Sequence, residues 1–180
     1  MPRTCRRARP VAEVAARPEI SAAGPGDVGI LLELVRELAD FERLTHEVVA
    51  TPELVQEALF GPHANVEAVI SRQRGEVVGF ALWFHNYSTF LGRRGLYLED
   101  LYVRPAYRGM GHGEALIRHL AGIAVRRGCG RMEWAVLDWN QRAIDFYRRL
   151  GAECQDAWKI FRLSGEALER AARMPADETR

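Results

Sequence analysis

Long apolar runs, paired cysteines and a strong charge of either sign are all missing from this 180-residue sequence. No apolar stretch approaches the ~18–20 residues that span a bilayer. No apolar core of about 7–15 residues follows the N-terminal arginines, as a secretory signal requires. The three cysteines, Cys5, Cys129 and Cys154, are odd in number, far apart and without a Cys-x-x-Cys pair. That excludes a disulfide framework and a cysteine-based zinc site. No metal is expected, and the expected compartment is the reducing cytoplasm. The glycosylation pattern at Asn86-Tyr87-Ser88 is therefore read as empty. Lysine is nearly absent too: Lys159 stands alone among 25 basic residues. The net charge of +1 conceals an asymmetry, because residues 1–17 hold five arginines and one glutamate. The rest of the chain is net acidic and a poor match for a phosphate backbone. Neither nucleic acid nor membrane is an expected partner.

What is present is a 48% hydrophobic chain, enough for one domain with its own core. Residues 1–17 lack periodicity and read as a basic, disordered extension; 18–173 read as one domain and 174–180 as a polar tail. A short strand is expected over 19–22. Pro25-Gly26-Asp27 then opens a helix over 28–41, with Val28, Leu31, Leu32, Val35 and Leu38 at helical spacing. Thr51-Pro52 starts a second helix over 52–60. Strands follow at 66–71 and 76–85, joined by a hairpin at Arg72-Gln73-Arg74-Gly75, and at 96–103. A helix with Leu116, Ile117, Leu120 and Ile123 on one face ends at Gly128. A strand over 132–137, a helix from Asn140 to Leu150, a last strand over 158–163 and a helix capped by Ser164 complete the order. An α/β (α+β) fold with a mixed sheet and helices on both faces is expected.

Between the third strong strand and its helix lies Arg108-Gly109-Met110-Gly111-His112-Gly113. Alternate glycines let a backbone approach a ligand closely, and a helix N-terminus favours an anion. The spacing is not the Gly-x-Gly-x-x-Gly of dinucleotide-binding folds, and no Gly-Lys-Ser/Thr ends it as in a Walker loop. Arg-x-x-Gly-x-Gly after a strand that carries Leu-Glu-Asp resembles the acetyl-CoA pyrophosphate loop of the GNAT acetyltransferases.

The resemblance extends from about residue 19 to 172. It is carried by Arg36-Glu37-Leu38-Ala39-Asp40-Phe41-Glu42, Asn86-Tyr87-Ser88-Thr89-Phe90-Leu91-Gly92, Tyr97-Leu98-Glu99-Asp100-Leu101-Tyr102-Val103 and Ala135-Val136-Leu137-Asp138-Trp139-Asn140-Gln141-Arg142-Ala143. These stretches are similar to the diamine and thialysine N-acetyltransferase branch, and closer to the thialysine type. Phe90 stands where the spermidine type carries a tryptophan. The resemblance implies the GNAT fold, with a central mixed, mostly antiparallel, twisted sheet. It implies acetyl-CoA as co-substrate, a homodimer, and acetyl transfer to a small primary amine by direct attack through a tetrahedral intermediate.

A primary ammonium has a pKa near 10 and must lose a proton before it attacks. Glu99, a carboxylate within the apolar run 96–103, is expected to be the base, acting through ordered water. Asp100 is expected to contact the substrate ammonium. In a regular strand the two would face opposite ways, unless a bulge intervenes. By spacing alone Tyr147 reads as a packed core tyrosine; the resemblance makes it the proton donor to the CoA sulfur. Asn140 reads as a helix N-cap, and the resemblance adds a cofactor contact. The resemblance also implies that Leu101, Tyr102 and Val103 offer backbone groups to the acetyl and pantetheine arm. Arg108 and the amides of Gly109, Met110, Gly111, His112 and Gly113 would hold the pyrophosphate. Glu42, Tyr87 and Phe90 would line the amine site. Two other readings stay open: a non-catalytic acyl-CoA-binding regulatory module on the same fold, and a GNAT enzyme acting on a protein N-terminus or an aminoglycoside.

Overall fold

Apolar side chains at positions 28, 31, 32 and 34 bury one face of a helix over Val28–Glu42 (α1), which follows a short strand, Glu19–Ala22 (β1). The computed structural model describes residues 17–173. The basic extension, except for Arg17, and the polar tail lie outside the described residues. Thr51 caps the next helix, Pro52–Phe60 (α2), its side chain accepting from the Leu54 amide. Three long strands follow: Glu67–Gln73 (β2), Glu76–Ser88 (β3) and Arg93–Val103 (β4). Then come a helix over His112–Arg126 (α3), a strand over Met132–Trp134 (β5), and helices over Gln141–Arg149 (α4) and Gly165–Arg173 (α5). The described chain divides into two compact units, one up to Ala135 and one from Val136 onward.

The first unit holds the sheet, in the order β1-β2-β3-β4-β5. All neighbours are antiparallel except β4 and β5. The turn between β2 and β3 is two residues long. Arg74 and Gly75 both have positive φ, 52° and 81°, and Gln73 pairs with Glu76 across them. Such a turn matches the right-handed twist of the strands it joins. On one face Leu31 and Leu34 of α1 and Leu59 of α2 pack on Ile70, Phe80 and Tyr102. On the other face α3 buries Leu116, Ile117 and Leu120. The expectation of a mixed, mostly antiparallel sheet with helices on both faces holds. Arg104, just past β4, fixes α1 against the sheet: its guanidinium donates to Glu37 at 2.8 and 3.0 Å and also to Glu33.

In the second unit Asn140 caps α4, its Oδ1 accepting from the Ala143 amide at 3.2 Å, and Gly151 follows with φ 88°. Two expectations fail. The strand expected over 132–137 is only three residues long. The strand expected over 158–163 does not form, and no regular structure lies between Gly151 and α5. Its apolar side chains are bare; Phe161 is 92% exposed. A β-prone run becomes a strand only when a neighbour takes up its backbone hydrogen bonds, and propensity alone does not supply one. Phe80, fully buried between α1 and the sheet, gives the sharpest test of the packing. Phe80→Ala is expected to lower the unfolding free energy by about 3–5 kcal/mol in urea titrations; a loss below about 1 kcal/mol would contradict the packing described.

Candidate functional site

The register between β3 and β4 slips once. Leu82 faces Asp100 and Trp83 faces Leu98, so Glu99 is an extra residue in β4 with no partner opposite. A bulge of this kind breaks the strict alternation of side chains. Glu99 and Asp100, adjacent in sequence, therefore line the same cleft. This cleft, about 380 Å³ in volume, lies between β4, the C-terminal half of α1 and the segment after it. Glu42, the last residue of α1, and Glu47, in a 3-10 turn over Thr45–Glu47, add two more carboxylates. Val35, Leu38 and Val48 form the apolar part of its wall. Among the described residues that line it, four are acidic and none is basic.

The electrostatics follow from that composition. Asp100 is half-buried and its carboxyl is pushed up to about 6, first by burial, then by the negative charges of Glu99 and Glu42. Burial also raises Glu42 above the ordinary carboxylate value. Glu99 is exposed at the rim. Such an arrangement accepts a cation, because a bound ammonium relieves the repulsion and favours the ionised carboxylates. An aliphatic chain can rest on the valine and leucine wall.

Beyond the bulge the other edge of β4 opens. The ladder to β5 pairs only Leu96, Tyr97 and Leu98. Leu101 and Val103 therefore lie on a stretch of β4 that β5 does not cover, where backbone groups can meet an extended ligand as a further strand would. The chain then makes a 3-10 turn at Pro105–Tyr107 and enters the glycine-rich loop. Gly109 and Gly111 have φ of 83° and 91°, a conformation that a side chain would strain. Gly111 is the N-cap of α3. The first amides of any α-helix, here those of His112, Gly113 and Glu114, lack partners within the helix and favour an anion. Open strand edge, glycine turn and helix N-terminus together fit the pantetheine arm and pyrophosphate of acetyl-CoA.

Two loop side chains are engaged elsewhere. Arg108 donates from Nε to the Val103 carbonyl at 2.8 Å, and its guanidinium lies 4.6 Å from the centre of the Phe41 ring and 5.5 Å from that of Tyr102. The His112 ring is buried against β2, so of this residue only the main-chain amide is left to meet an anion. Met110 is exposed. Tyr87 and Phe90 stand apart from the cleft. Tyr87 pairs with Arg94, five residues along β3 from Leu82, or about 16 Å at the rise of a strand. Phe90, in the β3–β4 turn, is 94% exposed. In the second unit, Tyr147 lies on α4 beside Phe146, with ring centroids 5.2 Å apart.

Glu47, Ser71 and Gln73 escape a reading of the sequence. Glu47 sits in a stretch without periodicity, and only the 3-10 turn brings it to the cleft. Ser71 and Gln73 matter through an imidazole some forty residues away. Among the described residues no group of three or more His, Cys, Asp or Glu is arranged to hold a metal ion, and no helix is long and apolar enough to cross a membrane.

The chain is similar to known proteins over most of its length. Residues 32–152 match the Acetyltransferase (GNAT) family, a span that begins in the first unit and ends in the second. The chain is 41% identical over 165 residues to a thialysine N-epsilon-acetyltransferase of Bos taurus, covering 85% of this chain and 96% of that protein. It is 33% identical over 195 residues to an L-ornithine N5-acetyltransferase of Arabidopsis thaliana, covering 83% and 86%. Among solved structures it superposes on an integron cassette protein of V. cholerae with a TM-score of 0.71 and 27% identity, over 87% of this chain and 98% of the other.

Asp100 carries a measurable signature. The unfolded chain releases this proton near 3.8 and the folded chain near 6. Between these values the folded state holds more protons, so this group's contribution to stability falls as pH rises through the window. Asp100→Asn is expected to raise the melting temperature at pH 7 by about 3 °C while weakening amine binding. A variant that melts lower at pH 7 and equally at pH 4 would contradict the assignment.

Proposed function

We propose that this chain, which belongs to the acetyltransferase (GNAT) family, transfers the acetyl group of acetyl-CoA to a primary amine of a small aliphatic cation, a diamine or a lysine-like amino acid. The observation that carries the reading is the cleft at the β4 bulge, with four carboxylates and an apolar wall beside an open strand edge. The relatives named for N-epsilon and N5 acetylation support a side-chain amine as acceptor. Acetyl-CoA supplies the acyl group as an activated thioester.

The protein's own groups attract, orient and deprotonate. Glu42, Glu47 and Asp100 draw the cation into the cleft, and Val35, Leu38 and Val48 hold its methylenes. Glu99, at the exposed rim, takes the proton that the ammonium nitrogen must lose, directly or through one water. Backbone groups of Leu101, Tyr102 and Val103 align the thioester arm, and the amides from Gly109 to Gly113 hold the pyrophosphate. Arg108 supports this strip from below through Val103 and the Phe41 and Tyr102 rings. By family resemblance Tyr147 returns a proton to the leaving sulfur and Asn140 contacts the cofactor, whereas Tyr87 and Phe90, which do not line the cleft, take no part in amine binding here. The bare apolar side chains of Trp158, Ile160 and Phe161 support the homodimer that the resemblance implies.

A second reading concerns the acceptor. With no basic residue among the described residues that line the cleft, a substrate α-carboxylate there faces like charge, which costs binding. The aliphatic diamine is therefore the better acceptor. A CoA-release assay is expected to give a KM about tenfold lower for the five-carbon diamine than for lysine, with lysine amide between them. Lysine outperforming both would assign the cleft to something other than the amine. Glu99→Gln and Tyr147→Phe are each expected to lower kcat about 10²–10⁴-fold with little change in acetyl-CoA affinity. Acetyl-CoA binding without turnover on any amine would make the chain a regulatory module instead.

A further inference from the structure

The first residue of α3 carries a buried imidazole that acyl transfer does not use. His112 is 1% exposed, and both ring nitrogens are occupied. Nε2 lies 2.6 Å from Gln73 Oε1, and Nδ1 lies 2.7 Å from Ser71 Oγ. An amide oxygen can only accept, so Nε2 donates to Gln73. Burial lowers the ring's pKa and favours the neutral form, in which Nδ1 accepts from the Ser71 hydroxyl. Ser71 is fully buried and marks the register shift in β2; Gln73 ends that strand.

The other end of the glycine loop is tied to the same hairpin. The Tyr107 hydroxyl donates to Glu76 Oε2 at 2.7 Å, and the Tyr107 ring meets His112 edge-on, with centroids 6.2 Å apart. Gln73 and Glu76 are the pair that closes the two-residue turn at Arg74-Gly75. One two-residue turn therefore carries partners of both Tyr107, just before the loop, and His112, near its end. The segment between them contains Gly109 and Gly111, both in the left-handed region. Glycine leaves that backbone many alternative conformations, so the aim of the first amides of α3 depends on the anchors at its ends. An aliphatic side chain at position 112 would fill the same space but impose no direction, whereas two hydrogen bonds from one ring fix the rotation of the helix start.

We propose that His112 is a positioning residue for anion binding: through Ser71 and Gln73, and with Tyr107 on Glu76, it holds the amides of His112, Gly113 and Glu114 at the angle a pyrophosphate requires. This rests on the reading that the glycine loop receives the pyrophosphate of acetyl-CoA.

The test pairs calorimetric titration of CoA with steady-state kinetics on acetyl-CoA and on acetyl-pantetheine, which lacks the pyrophosphate. The wild type is expected to prefer acetyl-CoA strongly; without that preference, both the loop reading and this inference fall. Given the preference, His112→Ala is expected to weaken CoA binding and raise KM for acetyl-CoA about tenfold, with kcat within about twofold and kcat/KM for acetyl-pantetheine unchanged. His112→Gln, which keeps a donor near the Nε2 position, is expected to recover most of the affinity. Tyr107→Phe removes one anchor without opening the core and is expected to weaken CoA binding about threefold. It carries the test if His112→Ala does not fold. Unchanged CoA affinity in the folded variants, or equal losses on both acyl donors, would overturn the inference and leave the loop reading standing.

Discussion

One extra residue in the central strand is the constraint on which the cleft depends. In a regular β4, Glu99 and Asp100 would stand on opposite faces of the sheet, one toward α1 and one toward α3. The slip that leaves Glu99 without a partner lets both carboxylates reach one cleft. The same strand supplies the neighbouring surface, because its pairing with β5 ends at Leu98. The two carboxylates and the open edge are thus separated by only a few residues of a single strand, which is what the proposed meeting of amine and thioester needs.

Concentrating four carboxylates around one cleft works against stability. Asp100 resists ionisation because it is desolvated and faces Glu99 and Glu42. A cation bound in the cleft would supply the missing charge, and part of its binding energy would come from relieving a repulsion already present in the folded protein. The surroundings must therefore be rigid. Arg104 holds α1 to the end of β4 through Glu37 and Glu33, which keeps Glu42 near the bulge. The β2–β3 turn does the same for the glycine loop through Gln73 and Glu76.

Much of this is legible in the residues themselves. The apolar spacing of α1, the glycine punctuation of α3 and α4, and the Arg-Gly hairpin turn act locally, so they appear in the structure where the sequence puts them. The glycine loop is also legible, because its conformation demands residues without Cβ. Interactions that act between distant positions are not. Glu47 reaches the cleft only after the chain turns at Thr45–Glu47. The His112 ring reads as part of a ligand loop until its partners on β2 are seen. The run 158–163 has the composition of a strand, but composition cannot provide the neighbour that a strand requires.

The most direct test of the account is a crystal structure with a bisubstrate analogue, in which the CoA sulfur is joined through an acetyl bridge to one nitrogen of an aliphatic diamine. The bridged nitrogen is expected at the β4 bulge beside Glu99 and Asp100, and the free ammonium in the cleft within reach of Glu42 or Glu47. The pyrophosphate is expected on the amides at the start of α3. A diamine arm lying outside this cleft, with the four carboxylates facing solvent, would contradict it.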